Sequence, residues 1–267
     1  MKVVLSRKGF DSSNGGIPSA VMPNGDVVSF PIPSDDKETF GELYCGSILY
    51  SELLRELAPG RRFGHCHLDP DIDMSHRCTL PRQWKPACGQ IGPSARYLLN
   101  TVGLAPGDMI LFFGWFRFVE EDLLGHHKFA TGTKDMHLIW GYLQVGEILS
   151  DPDRIAREYP WHPHADQRRF DESNILIVPR KSLSFAKTKP GCALLPFARH
   201  RVLTAPGQTR AYWQWNPVYA PENLLVGKGR KNASLIPGCI FYPGIWQELG
   251  LKDSPETEQW AVSMVLE

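Results

Sequence analysis

The sequence lacks an excess of charge of either sign, because 29 lysines and arginines balance 29 aspartates and glutamates over 267 residues. A strong field that would draw the protein to a nucleic acid backbone or to anionic lipid is therefore excluded, and we expect no strong non-specific nucleic-acid binding. Any such contact would depend on short basic runs, for example Arg61 with Arg62 or the run at 228–231. The balance favours recognition of a small molecule or of a single flipped-out base.

Long apolar runs and closely spaced cysteine pairs are missing as well. No stretch approaches the roughly 20 apolar residues of a membrane span, and the first apolar run, at residues 2–6, is too short for a signal peptide. The six cysteines form no CxxC pair, which argues against a structural zinc site and against a dense disulfide framework. We therefore expect reduced thiols, a cytoplasmic protein and no membrane partner.

The most informative segment is the run Gly-His-Cys-His-Leu-Asp-Pro-Asp-Ile-Asp at residues 64–73. It places histidines and aspartates at alternate positions, and these are His65, His67, Asp69, Asp71 and Asp73. In an extended backbone, side chains two residues apart point to the same side, so one face would gather up to five donors. Imidazole beside carboxylate suits iron, manganese or zinc, and two histidines with one carboxylate form the facial site of non-haem iron enzymes. The competing interpretation is a polar loop whose aspartates only stabilise turns.

A calcium-binding EF-hand loop is excluded for the same run. The three aspartates match the first three ligand positions of such a loop, but Met74 and Leu80 stand where the glycine and the bidentate glutamate are required. Calcium coordination of that kind therefore does not explain the spacing.

A second pair of histidines lies in the run Trp-His-Pro-His at residues 161–164. His162 and His164 are again two residues apart, across a proline that restricts the backbone. Two pairs of this kind in one chain favour a shared metal site. Its ligands would be His67, Asp69 or Asp71, and His162 or His164.

The most apolar stretch, residues 109–118, predicts a central strand that is buried on both faces. Trp115 and Arg117 lie on the same side of it, where an indole and a guanidinium would hold a planar ligand or an anion. A core aromatic cluster with Arg117 reaching solvent is the competing interpretation. Residues 135–148 predict a second long strand, with bulges or a bend at Gly141 and Gly146, and His137 at its beginning is a further candidate ligand.

The remaining patterns place helices at the periphery. Apolar residues recur at helical spacing at 47–57, 93–102 and 254–265, and Asp151 with Pro152 begins another helix that ends near residue 158. The sequence predicts an α+β fold, in which a mixed, largely antiparallel sheet or partial β-barrel carries peripheral helices. We expect a single domain over residues 1–267, because the runs at 64–73 and 161–164 would otherwise have to meet across a domain boundary.

Several long motifs, in order, resemble those of one family. They read LSRKGFDSSNGGIPS, CHLDPDID, GQIGPSARYLLNTVGLAPGDMILFFGWFR, HLIWGYLQVGEI, HPH and LTAPGQTRAYWQWNPVYAP. Together they resemble the nucleotide modification associated domain of the third type, which occurs in bacteria and phages beside genes for DNA-base modification. The similarity covers nearly the whole chain. One departure is Trp246-Gln247-Glu248, where the family pattern is expected to begin with glycine.

A weaker similarity concerns residues 106–148. Their order of Pro-Gly-Asp, strand, loop and GYLQVGEI resembles the β-barrel core of PUA, ASCH and EVE modules, which hold modified nucleotides. This likeness implies a PUA-like core, and as a fold-level analogy it supports a nucleotide ligand only loosely.

The leading hypothesis is a metal-dependent oxidoreductase, with Fe²⁺ as the expected metal and another divalent metal as the alternative, that modifies a nucleotide or a DNA base. The candidate metal ligands are His67, Asp69, His137, His162 and His164. The candidate catalytic residues are Asp71 and Arg117, and the resemblance implies Arg7, Asp11, Gln90 and Trp115 as substrate-binding residues. Two alternatives are a non-catalytic, PUA-like reader of modified bases and an oxidative enzyme recruited to a peptide or small metabolite.

Overall fold

The computed structural model describes residues 1–169, 171–225, 236–244 and 246–267, and the basic run at 228–231 lies outside them. In chain order the strands are β1 (Val3–Arg7), β2 (Ser19–Val21), β3 (Val27–Val28), β4 (Ile32–Pro33), β5 (Tyr44–Cys45), β6 (Ile48–Leu49), β7 (Cys66–His67), β8 (Cys88–Gln90), β9 (Met109–Glu121), β10 (His127–Phe129), β11 (Met136–Leu149), β12 (Ile175–Pro179), β13 (Cys192–Leu194), β14 (Tyr212–Gln214), β15 (Cys239–Phe241) and β16 (Glu248–Gly250). The α-helices are α1 (Tyr50–Leu57), α2 (Gly92–Arg96), α3 (Pro152–Glu158) and α4 (Pro255–Leu266), and a π-helix spans Tyr97–Val102. Short 3₁₀ helices span Phe40–Glu42, Met74–His76, Pro163–Ala165, Gln167–Arg169, Arg199–Arg201, Pro217–Tyr219 and Pro221–Asn223.

Ten of these strands form one curled sheet, which closes into a half-barrel. Six of them follow in the order β16, β1, β9, β11, β12 and β8, and β2, β3, β10 and β13 pair beside them. Strand β9 is parallel to β1 and to β2, whereas the other pairings between the described strands of this sheet are antiparallel. The predicted α+β class with a largely antiparallel, partly closed sheet is therefore confirmed.

Strands β9 and β11 form the centre of this sheet, because nearly all of their apolar side chains are buried. Both lie where the apolar runs predicted them. The register of β11 shifts just before Gly141 against β9 and again at Gly146 against β12, which confirms the two predicted irregularities. A Cβ atom on Gly146 would come within 2.8 Å of the Pro179 carbonyl oxygen, so glycine allows the close approach of these strands.

The sheet buries a hydrophobic cluster on each face. Alternation along β1 sends Val3 and Leu5 into one cluster and Val4 into the other. Helix α4 packs on the first cluster, whereas α2 and the π-helix pack on the second. A third cluster lies beneath α1 and includes Phe10 and Phe30. Because each fully buried large apolar side chain contributes roughly 1.5–3 kcal/mol, these clusters fix the loops between the strands.

Two of the helices differ from their predicted bounds. Helix α1 begins at Tyr50, after the predicted start at residue 47, because Ile48–Leu49 pairs with β5 as a strand. The helix predicted at 93–102 is α-helical only over Gly92–Arg96 and continues as the π-helix. Gly103 adopts a left-handed φ of 61° and ends it. Asp151 caps α3 as predicted, since its carboxylate accepts backbone N–H groups of the first turn.

None of the helices in the described segments is long and apolar enough to cross a membrane. All six cysteines are free thiols, and Cys66, Cys88 and Cys192 are buried. Burial raises the pKa of each of these three thiols above its ordinary value, so they act as small apolar side chains in the core.

Candidate metal centre

The histidine and aspartate run at 64–73 does not form one extended strand, contrary to the prediction from its spacing. Only β7 is extended, and the chain turns after it. Asp73 caps the following 3₁₀ helix by accepting a backbone N–H group, and Asp71 enters a separate ion pair with Arg77. The five side chains therefore do not share one face, and of the five only His67 and Asp69 remain in the site described next.

The structure brings the second histidine pair to this point. His67, Asp69 and His164 each offer one ligand atom, and the three atoms lie within 4.8 Å of one another. His164 is held in the 3₁₀ turn Pro163–Ala165, which follows α3. Its ring packs directly on β8, because a Cβ atom on Gly89 would lie only 2.1 Å from the ring carbon Cδ2. Strand β8 thus needs a glycine at this position.

The hydrogen bonds of two of the rings fix where their protons lie. His67 Nδ1 donates to Asp36 Oδ2 at 2.8 Å, and His164 Nδ1 donates to Asn174 Oδ1 at 2.7 Å. The Asn174 amide is itself oriented, because its Nδ2 donates to the His164 carbonyl oxygen at 2.9 Å. Each ring therefore carries its proton on Nδ1 and keeps a lone pair on Nε2, which is the arrangement of histidines that bind metals.

His162 has the opposite arrangement. Its Nδ1 accepts the His164 backbone N–H at 3.2 Å, so its proton belongs on Nε2. That Nε2 lies 3.6 Å from Asp69 Oδ1 and is buried, and none of the described residues forms a hydrogen bond with it. Burial lowers the pKa of His162 to about 3, which keeps the ring neutral. This geometry makes His162 a neighbour that aims an N–H at Asp69, while the Nε2 lone pairs belong to His67 and His164.

The Asp69 carboxylate is almost completely buried and held at both oxygens. Oδ1 accepts the Gly89 backbone N–H at 2.6 Å, and Oδ2 accepts from Lys8 Nζ at 2.6 Å. Burial opposes ionisation of Asp69, but the Lys8 ammonium outweighs it and holds the pKa of the carboxyl well below its usual range. Burial likewise opposes the charge on Lys8, and the Asp69 carboxylate keeps the pKa of Lys8 above its ordinary value. The pair is therefore ionised.

A second buried carboxylate, Glu248 of β16, lies near Lys8. Its Oε1 accepts from Ser6 Oγ at 2.9 Å and from Gln90 Nε2. Its Oε2 is buried and has no hydrogen-bond partner among the residues that the structure describes. Burial raises the pKa of Glu248 to about 7, although the Lys8 ammonium acts against this rise. The Glu248 carboxyl therefore gives up its proton less readily than an exposed glutamate does.

Lys8 and the three candidate ligands line a cavity of about 550 Å³, a size usual for small-molecule sites. Its lining includes His67, Asp69 and His164 and also the predicted residues Arg7, Asp11 and Gln90. Arg7 lies 3.6 Å from Asp11, nitrogen to oxygen, so its guanidinium is held at the cavity by a loose ion pair. Six of the predicted site residues thus share one cavity, and His162 lies directly behind Asp69.

Residues 2–233 match the family described as nucleotide modification associated domain 3. The chain belongs to this family. The match includes every residue of the histidine and aspartate cluster, and Glu248 lies beyond its end. Membership links the chain to nucleotide modification, and it confirms the family that the sequence motifs indicated. No curated protein and no solved structure matches this chain.

Two predicted residues of this family member lie apart from the cavity. Asp71 accepts hydrogen bonds from the Arg77 guanidinium and from Trp84 Nε1. His137 lies within an aromatic cluster, where its Nδ1 accepts from Trp213 Nε1 at 2.9 Å. Burial lowers the pKa of His137 well below its ordinary value, so the ring is neutral. The structure therefore places both side chains in packing networks and not beside His67 and His164.

Trp115 and Arg117 also form a separate group. The Arg210 guanidinium lies 3.8 Å from the centroid of the Trp115 ring and covers that face of it. Arg117 Nη1 lies 3.9 Å from Asp135 Oδ1. The stacking partner of this tryptophan is thus an arginine of the same chain.

Sequence reasoning missed Lys8, Asp36 and Asn174, which contact the site, and it named Glu248 without giving it a role. The available signal for Lys8 was a charged residue at the end of an apolar strand. The alternation of that strand points Lys8 to the side opposite Arg7. The side chains of Asp36 and Asn174 hydrogen-bond the histidines from other loops, and the sequence carries no spacing signal for these contacts.

Proposed function

We propose that this chain is a metal-dependent enzyme that modifies a nucleotide or a DNA base, with Fe²⁺ as the candidate metal. The observation that carries the proposal is the matched pair of histidines, His67 and His164, whose Nδ1 protons are fixed by Asp36 and Asn174. Partners of that kind are typical of histidines that bind a metal through Nε2. Two histidines with a purely structural role would not need both Nε2 lone pairs beside the Asp69 carboxylate.

The donor set fits such a metal. Two imidazole nitrogens and one carboxylate oxygen within 4.8 Å of one another match the ligands of facial non-haem iron sites. The same donors also bind manganese or zinc. Calcium and magnesium prefer oxygen ligands, so the two imidazole nitrogens favour iron over either of them. When bound, iron would supply redox chemistry and would polarise an oxygen of the substrate.

The residues around the donors suit a polar, partly anionic substrate. Arg7 offers a guanidinium for a phosphate or another anion. Gln90 lines the cavity and directs its Nε2 to Glu248, and its side-chain carbonyl oxygen would accept from an amino group of a base. A base within duplex DNA would have to be flipped out to enter, and a free nucleotide would enter directly. A cytoplasmic location, where thiols stay reduced, suits this substrate class.

Metal analysis of the purified full-length chain tests the proposal. Protein prepared anaerobically and loaded with Fe²⁺ should retain close to one equivalent after gel filtration. His67→Ala and His164→Ala should each lose that metal, whereas the exposed His126→Ala should keep it. A metal-free preparation that modifies nucleotides at full rate would overturn the proposal.

A second candidate function is a non-catalytic reader of modified bases. The ion pair of Lys8 with Asp69, at 2.6 Å, favours it, because the buried carboxylate is already neutralised by the chain itself. In a reader, His67→Ala would leave the affinity for oligonucleotides with modified bases unchanged, and no turnover would occur with any metal. Binding and turnover measured on the same variant distinguish the two functions.

A further inference from the structure

The contacts of Lys8 raise a question of charge at the site. Its ammonium is buried and donates to Asp69 Oδ2 at 2.6 Å and to the Gly89 carbonyl oxygen at 3.1 Å. A divalent cation held by His67, His164 and Asp69 would bring two further positive charges next to it. Like charges repel one another strongly in a buried site. The Lys8 ammonium and the cation therefore cannot both stay in contact with Asp69 unless a neighbouring group offsets the added charge.

Glu248 is placed to resolve this conflict. It is buried, and within the described part of the chain its Oε2 has no hydrogen-bond partner, although Oε1 is held by Ser6 and Gln90. A buried carboxylate oxygen without a partner is rare and calls for an explanation. Burial lowers the pKa of Lys8, whereas Asp69 and, more weakly, Glu248 raise it, so Lys8 and Glu248 lie within electrostatic reach of each other.

We infer that Glu248 is the second partner of Lys8, and that Lys8 moves from Asp69 Oδ2 to Glu248 Oε2 when a divalent cation binds Asp69. The inference rests on the proposed function, since it assumes the cation at that site. Glu248 then acts as a positioning residue that controls metal affinity through Lys8. A merely structural role, in which Glu248 only anchors Ser6 and Gln90, would not involve Lys8.

A double-mutant cycle on Mn²⁺ affinity tests this coupling, because Mn²⁺ binds the same donors and resists oxidation. Isothermal titration calorimetry would compare the full-length wild type with Glu248→Gln, Lys8→Met and the double variant. We expect Glu248→Gln to weaken Mn²⁺ binding by about 10- to 100-fold, the usual effect of losing an outer partner of a metal site. Lys8→Met should tighten binding by about tenfold, because the competing ammonium is gone. In the Lys8→Met background, Glu248→Gln should change the affinity less than about twofold.

Matched variants keep the test specific. Glu248→Asp retains the charge and should recover most of the affinity, and Glu120→Gln, on an exposed ion pair with Lys128, should bind as the wild type does. If Lys8→Met does not fold, as judged by circular dichroism, Lys8→Gln replaces it, because glutamine can still donate to Asp69. Equal affinity of Glu248→Gln and the wild type would overturn the inference, and so would a penalty that persists in the Lys8→Met background. A wild type that binds no Mn²⁺ or Fe²⁺ would instead overturn the proposed function on which the inference rests.

Discussion

Asp69 and Asp71 are two residues apart, both are buried, and both pair with a cation, yet they belong to different regions of the molecule. Asp69 pairs with Lys8 at the cavity, beside His164. Asp71 pairs with Arg77 and Trp84, and Arg77 is also bound to Glu38. The pKa of Asp69 lies below its ordinary range, whereas burial raises that of Asp71 in spite of the Arg77 guanidinium.

This difference teaches that spacing alone does not define a metal site. A guanidinium with several donors fills the acceptor positions of Asp71 and commits it to the core. A single ammonium leaves part of the Asp69 carboxylate beside two histidine lone pairs. We therefore assign Asp71 a packing role and Asp69 the ligand role, and four predictions test this division.

The largest effect is expected for Asp71→Ala. It leaves the buried Arg77 guanidinium partly unpaired, so the free energy of unfolding should fall by roughly 3–5 kcal/mol. Urea unfolding followed by circular dichroism measures the change. Any fraction that remains folded should bind Mn²⁺ with wild-type affinity, and a loss of Mn²⁺ binding by the folded variant would remove the division between the two regions.

The second-largest effect is expected at acid pH, where the buried histidines beside Asp69 should destabilise the folded state. Burial lowers the pKa of His162 to about 3 and that of His164 to about 4, whereas histidine in an unfolded chain titrates near 6.5. Between those values the unfolded state binds more protons, so the free energy of unfolding falls as the pH falls from 6.5 towards 4. The lowered pKa of His164 alone should reduce the free energy of unfolding by roughly 3 kcal/mol over this pH range.

Urea unfolding at several pH values between about 7 and 4.5 measures this slope. His164→Asn should reduce it, and the exposed His126→Ala should leave it unchanged. A slope that is the same in His164→Asn and in the wild type would show that the acid sensitivity arises elsewhere.

Asp69→Asn should act on metal binding instead. The amide keeps the size of the side chain but removes the negative charge, so Mn²⁺ affinity should fall by about 100-fold. Asp71→Asn is the matched control, because it makes the same chemical change two residues away and should alter the affinity little. Calorimetry on both variants measures the ratio, and equal losses would contradict the assignment.

The smallest effect is expected for Gly89→Ala. Its new Cβ atom would overlap the His164 ring, which must shift away from Asp69 and should weaken Mn²⁺ binding by about tenfold. Gly64→Ala is the control, because no heavy atom lies within 4 Å of a Cβ atom there. An unchanged affinity for Gly89→Ala would indicate that His164 is not held tightly.

The sequence supported the fold better than the site. The central strands, the bulges at Gly141 and Gly146, and the cap at Asp151 follow from apolar periodicity and turn chemistry, which act locally. The cluster of His67, Asp69 and His164 was also within reach, because each run has its own spacing signal. The PUA-like core and the single domain over 1–267 stay predictions.

The rest of the site depends on contacts between distant segments. Ser6 and Glu248 are 242 positions apart and meet because β16 pairs with β1. His137 lies at the end of a strand, where a metal-binding histidine is also expected. The aromatic residues that enclose it come from strands β9 and β14 and from a later loop. No local pattern distinguishes such a core histidine from a ligand.

The pairing of β16 with β1 also bears on how the protein should be produced. The family match ends at residue 233, so a chain trimmed to the matched span would lack β16 and α4. Strand β1 would then present its unpaired backbone groups to other molecules, a known cause of aggregation. Recombinant versions should therefore extend to the end of α4, well past the boundary that motif similarity suggests.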